Sequence, residues 1–145
     1  MTNNDLRDAL HQMLTAADGG VLAPLKRDGR PQLINVNHHY APAERVIRFS
    51  ISDGDAKTHN LRRDPRASYH VTNPDRSAYT VAEGIATLTP VATGPHDPVV
   101  DEHISLYRAM DGEHPDWDKF RQFVVSNRQL VLSLTVERLY GIPQE

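Results

Sequence analysis

The strongest constraint on the fold is a two-residue alternation of apolar and polar side chains in two nearby segments. The first, "RPQLINVNHHY" at residues 30–40, places Ile34 and Val36 on one side and Asn35 on the other. The second, "RVIRFSIS" at residues 45–52, alternates in the same way. Side chains of a β-strand point to opposite faces with this period. Each segment therefore predicts a strand that buries one face in a core.

The rest of the chain predicts further strands with a few helices. "DLRDALHQMLTAADGG", residues 5–20, has the apolar spacing of a helix that ends at its glycines, and later helices are expected from Val99 to Gly112 and after Asp116. Asp28 and Gly29 predict a type I′ hairpin turn. We expect a single domain over residues 1–145, mainly β (α+β), in which six or so antiparallel strands form a barrel with short flanking helices.

A long strand is also expected over residues 77–91, "SAYTVAEGIATLTPV". Gly84 lies in its interior, where glycine permits a β-bulge or a sharp bend.

A basic cluster occupies "DGDAKTHNLRRDPRAS", residues 53–68. "AKTHNLRR" predicts a short helix that Pro65 ends, and strands are expected on both sides. Lys57 lies in the first turn, where a cation opposes the helix dipole and an anion binds well. The cluster is thus either a solvated helix face or an anion site at Lys57, and its position favours the anion site.

The polar strand faces allow the same two interpretations. Asn35, Ser50 and Ser52 either face solvent or lead a ligand toward Lys57. Asn is a poor strand former, so its presence there calls for a reason, and both interpretations stay open.

Composition excludes several classes of function. The 16 basic and 19 acidic residues give a net charge of −3, which argues against nucleic-acid binding. The absence of cysteine excludes disulfides and thiolate chemistry. No apolar run approaches the ~20 residues of a membrane span, so we expect a cytoplasmic protein without a membrane partner. Neighbouring His38 and His39 point to opposite faces of a strand, and no metal site is expected.

The sequence resembles the pyridoxamine 5′-phosphate oxidase-like split β-barrel superfamily. The segments that carry the resemblance are "GRPQLINV", "RVIRFSIS", "AKTHNLRRDPRASYHV" and "YTVAEGIATL". Lys57, Leu61, Asp64 and Pro65 keep the spacing of the flavin-binding branch. The resemblance spans nearly the whole chain and implies a split barrel with its strands in Greek-key order.

Two departures from the oxidases are informative. Asp55 and Ala56 stand where the oxidases have Ser-Arg, so one cation of the flavin phosphate clamp is missing. The final "LYGIPQE" lacks the Arg- and His-bearing segment that holds pyridoxamine phosphate. The segments "AKTHNLRRDPRAS", "VAEG" and "GEHPDWDKFRQ" are instead similar to F420-dependent reductases, whose deazaflavin carries a phosphodiester and an oligoglutamate tail.

The resemblance implies an oxidoreductase that transfers hydride from reduced F420 to a conjugated enone, quinone, lactone or tetrapyrrole. It implies a homodimer with the cofactor in a groove at the interface. The catalytic proton donor is open among His39, His59, Tyr40 and water. The resemblance implies that Lys57, Thr58 and Ala56 hold the phosphate. It implies that the ring and ribityl chain contact Gln32, Asn35, Ser50 and Ser52, with Asn60 nearby. The tail would meet Arg63 or its neighbours Arg62 and Arg66.

Two alternatives stay open at this stage. The same barrel could hold FMN as a flavin reductase or oxidase, although Ala56 counts against it. The protein could also be a non-enzymatic binder of deazaflavin or haem.

Overall fold

A computed structural model describes residues 2–144, so the first and last residues of the predicted domain 1–145 lie outside it. The elements in chain order are α1 (Asn3–Ala16), β1 (Gly19–Pro24), β2 (Ile34–Asn37), β3 (His39–Ala41), β4 (Val46–Ser52), α2 (Ala56–Arg63), β5 (Arg66–Thr72), β6 (Tyr79–Leu88), α3 (Pro98–Asp111), α4 (Trp117–Ser126) and β7 (Gln129–Ile142).

The strands form one antiparallel sheet of seven strands in the order β2-β1-β5-β6-β7-β4-β3. Its two edge strands, β2 and β3, follow one another in the chain and are separated only by His38. The chain therefore brings the two edges of the sheet together, and the sheet must curl into a barrel. The single strand expected over residues 30–40 was wrong in this respect, because its halves pair with different neighbours, β1 and β4.

His38 fixes the junction of the two edges. The side chain is 3% exposed, and its Nε2 lies 2.8 Å from the Leu14 carbonyl oxygen, which can only accept a hydrogen bond. Nε2 therefore carries the proton, and Nδ1 accepts from the Tyr69 hydroxyl at 2.6 Å. Burial lowers the pKa of His38 and keeps the ring neutral. Both ring nitrogens are satisfied, so this histidine is part of the barrel's structure.

The predicted alternation of faces is confirmed. Ile47, Phe49 and Ile51 of β4 are at most 2% exposed, whereas Ser50 between them is exposed. The Phe49 ring meets Tyr69 edge to face at 4.9 Å, an arrangement that aromatic quadrupoles favour. The barrel interior is therefore the main hydrophobic core.

A separate, smaller core lies between α3 and α4. It consists of Ala92, Val100, Ile104 and Val124, against which Trp117 and Phe120 pack. Trp117 is therefore a packing residue of this core. Asp116 caps α4 by accepting from the Lys119 backbone N–H at 3.1 Å.

Glycines explain two local features of the sheet. Gly84 sits at a register shift between β6 and β7, where a side chain would meet the Thr135 carbonyl oxygen, so the predicted bulge is confirmed. The type I′ turn at Asp28 and Gly29 was wrong, because only Gly29 has a positive φ, of 87°. The hairpin closes instead through a longer loop in which the Lys26 N–H donates to the Arg30 carbonyl.

Across residues 2–144, none of the helices has the length and apolar character needed to cross a membrane.

Candidate functional site

A cleft of about 700 Å³ lies between the barrel and the pair of helices α3 and α4. The two sides of the cleft come from different elements of the fold. The side formed by strands and the start of α2, called here the barrel wall, consists of Asn35, Val36, Asn37, Ser50 and Lys57. The other side, called here the helical wall, consists of His103, Leu106, Tyr107, Met110, Asp111, His114, Lys119, Phe120 and Phe123.

The barrel wall brings together residues that the sequence placed on the polar strand faces. Asn35 and Ser50 are both exposed and line the cleft. Ser52 lies two residues further along β4. Gln129, at the start of β7, joins the two serines: its amide oxygen accepts from Ser50 at 2.7 Å, and its amide nitrogen donates to Ser52 at 2.8 Å. No sequence pattern connects Gln129 with this wall, because the pairing of β4 with β7 spans more than seventy residues.

Lys57 enters the cleft from the first turn of α2. Its Nζ lies 2.8 Å from a carboxylate oxygen of Asp55, and its side chain is only 17% exposed. The Asp55 carboxylate makes no capping bond to the helix amides; it accepts from the Ser52 backbone N–H instead. The hydrogen bond from Lys57 is the main reason why the pKa of Asp55 is lowered. The Lys57 charge is thus partly balanced before any ligand binds.

Thr58 supports this wall from inside the protein. Its side chain is fully buried, and its hydroxyl donates to the Ser52 carbonyl at 2.6 Å. The bond ties the first turn of α2 to the end of β4. The Thr58 hydroxyl is therefore engaged in holding the helix, and Ala56 next to Lys57 is the exposed residue of this turn.

The three arginines of the basic cluster have different partners. Arg62 pairs with Asp53, and Arg66 pairs with Asp64 at 2.8 Å, which lowers the pKa of Asp64 to about 2. Arg63 donates to two neutral oxygens, the Leu25 carbonyl at 2.8 Å and the Asn60 amide at 2.9 Å.

Several predicted site residues do not line this cleft. Asn60 donates from its amide nitrogen to the side-chain oxygen of Gln32 at 2.7 Å, and neither residue lines the cleft. Tyr40 is 3% exposed, and its hydroxyl lies 2.5 Å from Nδ1 of His11.

The two histidines proposed as proton donors also lie elsewhere. His59 is exposed on α2, and His39 is opposite Arg48 on an edge strand. The structure therefore brings none of the three candidate donors, Tyr40 included, to the cleft.

The helical wall is the part of the site that sequence reasoning missed. Tyr107 lies within 5.7 Å, centroid to centroid, of His114, Trp117 and Phe120, which form a connected aromatic group. Phe123 stays 54% exposed at the cleft. Lys119 and Asp111 add one charge of each sign. The wall therefore offers flat apolar surface, opposite the polar atoms of the barrel wall.

His103 was not singled out, although the sequence carried a signal for it. It lies three residues after Val100 and one before Ile104, so it occupies the apolar stripe of α3. A polar residue on an apolar stripe calls for a hydrogen-bond partner. In the structure the side chain is 2% exposed and lines the cleft.

No group of three or more potential metal-ligating residues occurs among residues 2–144.

Comparisons with known proteins bear on the fold. No protein-family model matches the chain. A solved F420 reductase superposes with a TM-score of 0.67 at 19% identity, covering 90% of this chain and 94% of the other. A putative pyridoxamine 5′-phosphate oxidase from Listeria innocua gives a TM-score of 0.67 at 19% identity, covering 94% and 97%. An FAD-binding protein from Mesorhizobium loti gives 0.64 at 17% identity, covering 97% and 92%.

The fold is the split β-barrel of the pyridoxamine 5′-phosphate oxidase-like proteins. The expected split barrel is thereby confirmed, with seven strands where six or so were expected. At these sequence identities the similarity shows the fold alone and does not identify a ligand.

Proposed function

We propose that this split-barrel protein is an F420-dependent oxidoreductase that binds the deazaflavin in the cleft between the barrel and helical walls. The observation that carries the proposal is the meeting of a polar strand face, a lysine at a helix start and an aromatic wall around about 700 Å³. Cofactor sites in proteins have this size and this mixture of apolar surface with a few polar groups.

The charges at Lys57 favour a phosphodiester over a phosphate monoester. Asp55 already balances part of the Lys57 charge at 2.8 Å, and Ala56 supplies no second cation. A phosphodiester carries one negative charge, whereas a monoester carries between one and two at neutral pH. The repulsion from Asp55 is therefore smaller for F420 than for FMN.

Arg63 is the arginine that we assign to the glutamate tail. Arg62 and Arg66 already pair with carboxylates, whereas Arg63 donates to neutral oxygens only. A tail carboxylate offers a stronger, charge-assisted hydrogen bond than either neutral oxygen does.

The protein's part in the reaction is to hold the ring and its acceptor together. Reduced F420 supplies a hydride to an electron-poor carbon of a conjugated enone, quinone, lactone or tetrapyrrole. Asn35 and Ser50 hold polar atoms of the ring from one side, and Tyr107, Phe120 and Phe123 cover a flat partner from the other. Because His39, His59 and Tyr40 lie outside the cleft, we assign the accompanying proton to water.

A second copy of the chain would complete the site as part of the proposal. Leu33 of the β1–β2 segment is 70% exposed and Phe123 at the cleft is 54% exposed, which is apolar surface that an interface would cover. Two-fold dimers are the commonest oligomers. Sedimentation at micromolar concentration is expected to give a dimer, and a monomer of 16.3 kDa would contradict this part of the proposal.

The deciding experiment is a titration of the protein with oxidised F420 and, separately, with FMN, followed by absorption and fluorescence. F420 is expected to bind in the low micromolar range or tighter, with FMN at least about tenfold weaker. Raising the salt concentration should weaken F420 with a long tail more than F420 without one, because several exposed charge pairs are screened together.

Equal or tighter binding of FMN would overturn the assignment in favour of a flavin reductase or oxidase. Tight binding of F420 without turnover of any conjugated acceptor would favour a non-enzymatic carrier of the deazaflavin. Haem binding with neither F420 nor FMN would favour a haem-binding protein.

A further inference from the structure

His103 is a buried histidine that lines the cleft, and one of its ring nitrogens has no hydrogen-bond partner. Its side chain is 2% exposed and lines the cleft from α3. Its Nε2 is the one buried side-chain nitrogen or oxygen, within residues 2–144, that has no hydrogen-bond partner. Buried polar atoms in native proteins are almost always paired, so an unpaired one calls for an explanation.

Packing alone does not explain a histidine at this position. The other buried residues of α3 are Val100, Ile104 and Leu106, all of which are apolar. A leucine has a similar volume and would fill the space without leaving a polar atom unpaired. The histidine therefore costs stability in the free protein, as functional residues commonly do.

The chemistry of the ring limits what it can bind. Burial lowers the pKa of His103 to about 4, an effect that outweighs hydrogen bonding to the Gln129 backbone. The imidazole is neutral at neutral pH, with one protonated nitrogen and one bare nitrogen. It can exchange a hydrogen bond with a neutral group, while the charged parts of a ligand are left to the lysines of the cleft, Lys57 and Lys119.

We infer that Nε2 of His103, the bare nitrogen of the neutral ring, accepts a hydrogen bond from a neutral N–H or O–H group on the edge of a planar conjugated ring bound in the cleft, and so fixes the orientation of that ring. The inference rests on the proposed function in that the ring we expect there is the deazaflavin. The aromatic side chains of the helical wall supply the flat contact, and His103 supplies the directional one. A ring that turned in its plane would lose the hydrogen bond.

The test replaces His103 by leucine and by glutamine, and uses His38→Leu as a matched control. His38 is equally buried, but both of its ring nitrogens are paired and it does not line the cleft. His103→Leu is expected to weaken F420 binding about tenfold, the effect of one lost hydrogen bond. It should leave the melting temperature of the free protein level or higher. His38→Leu should lower that temperature by several degrees.

Two further measurements distinguish direct contact of His103 with the bound ring from a purely structural role. The amide of glutamine reaches the position of Nε2, so His103→Gln should recover part of the lost affinity. In protein labelled with ¹⁵N at histidine, addition of F420 should shift the Nε2 resonance of His103 and leave that of His38 unchanged.

The outcomes distinguish this inference from the proposed function. If FMN binds in place of F420 and His103→Leu weakens it, the proposed function fails and the role of His103 stands. If F420 binds as tightly to His103→Leu as to the native protein, the proposed function stands and the role of His103 fails. A fall in the melting temperature of His103→Leu by as much as that of His38→Leu would make His103 structural, and binding of neither ring would overturn both.

Discussion

The barrel wall of the cleft belongs to strands whose opposite faces fill the main core, whereas the helical wall belongs to two helices with a small core of their own. Buried residues from α1, α2 and the strands form the first core. Ala92, Val100, Ile104 and Val124 form the second. Two side chains of the barrel wall have polar partners: Ser50 bonds to Gln129, and Lys57 pairs with Asp55. The helical wall holds the unpaired Nε2 of His103.

The difference indicates that the two walls have different functions in ligand binding. A wall whose strands belong to one continuous sheet can hold an anion and polar groups at set positions, because hydrogen bonds to neighbouring strands fix its backbone. A wall that rests on few buried contacts opens at lower free energy, and such elements are the ones that admit ligands. We expect the barrel wall to set affinity for the phosphate and the helical wall to set the fit of the ring.

The largest expected effect compares the two cores directly. Leu132, which is fully buried in the barrel, and Ile104, which is 7% exposed in the helical core, each lose a similar volume on replacement by alanine. Both changes fall in the range of about 2–5 kcal/mol of unfolding free energy, with Leu132→Ala at the upper end and Ile104→Ala at the lower. Urea denaturation measures both. Equal losses would mean that the two walls form one cooperative unit of equal packing quality.

Acid should act on the helical wall through His103. Its pKa is about 4 in the folded protein and 6.5 in the unfolded chain, so the unfolded chain binds more protons between these values. The free energy of unfolding should fall as the pH drops from 6.5 to 4, by at most about 3 kcal/mol from this group. His38, with its pKa also lowered, adds a loss of the same sign.

Denaturation at pH 7 and pH 5 checks this prediction. The native protein should lose more stability than His103→Leu over that interval. Asp53 and Asp64, whose pKa values are lowered by arginine partners, lose their contribution only below about pH 4, outside this interval. An identical pH dependence of the two proteins would contradict the burial argument for His103.

Lys57→Ala tests the barrel wall. Loss of a charge-assisted contact of about 1.5–3 kcal/mol should weaken F420 binding roughly tenfold to a hundredfold. Stability should change little, because the pair with Asp55 is partly exposed and such pairs contribute about 0–1 kcal/mol. His59→Ala, an exposed change on the same helix, is the control. Unchanged affinity for F420 and FMN together with a melting temperature several degrees lower would show that the basic cluster is structural.

The smallest expected effect concerns the choice between cofactors. Asp55→Asn removes the charge that balances Lys57 and keeps an oxygen for the Ser52 backbone N–H. Affinity for FMN should rise several-fold, and affinity for F420 should rise less, because a monoester is repelled more strongly by the aspartate. Asp53→Asn, which breaks pairs with Arg62 and Arg128, serves as the control. A larger gain for F420 than for FMN would contradict the charge argument.

The sequence by itself determined most of the local structure. Period-two alternation placed Ile47 and Phe49 inside and Ser50 outside, and the predicted helix "AKTHNLRR" is observed as Ala56–Arg63. Gly84 marked a bulge. These features follow from side-chain direction and backbone sterics, which act between neighbours along the chain.

The tertiary structure alone decided how the cleft closes. Alternation predicts which face of a strand is buried, but carries no information on which strand lies beside it. The division of the strand at His38 and the hydrogen bonds from Gln129 to Ser50 and Ser52 were therefore not predicted. The placement of α3 against the barrel depends on packing between residues far apart in sequence. That packing leaves Nε2 of His103 without a hydrogen-bond partner, whereas the fold of the N-terminal half gives the His38 ring two. The same residue type has opposite roles because burial is set by the pattern of the chain, while hydrogen-bond partners are set by three-dimensional neighbours.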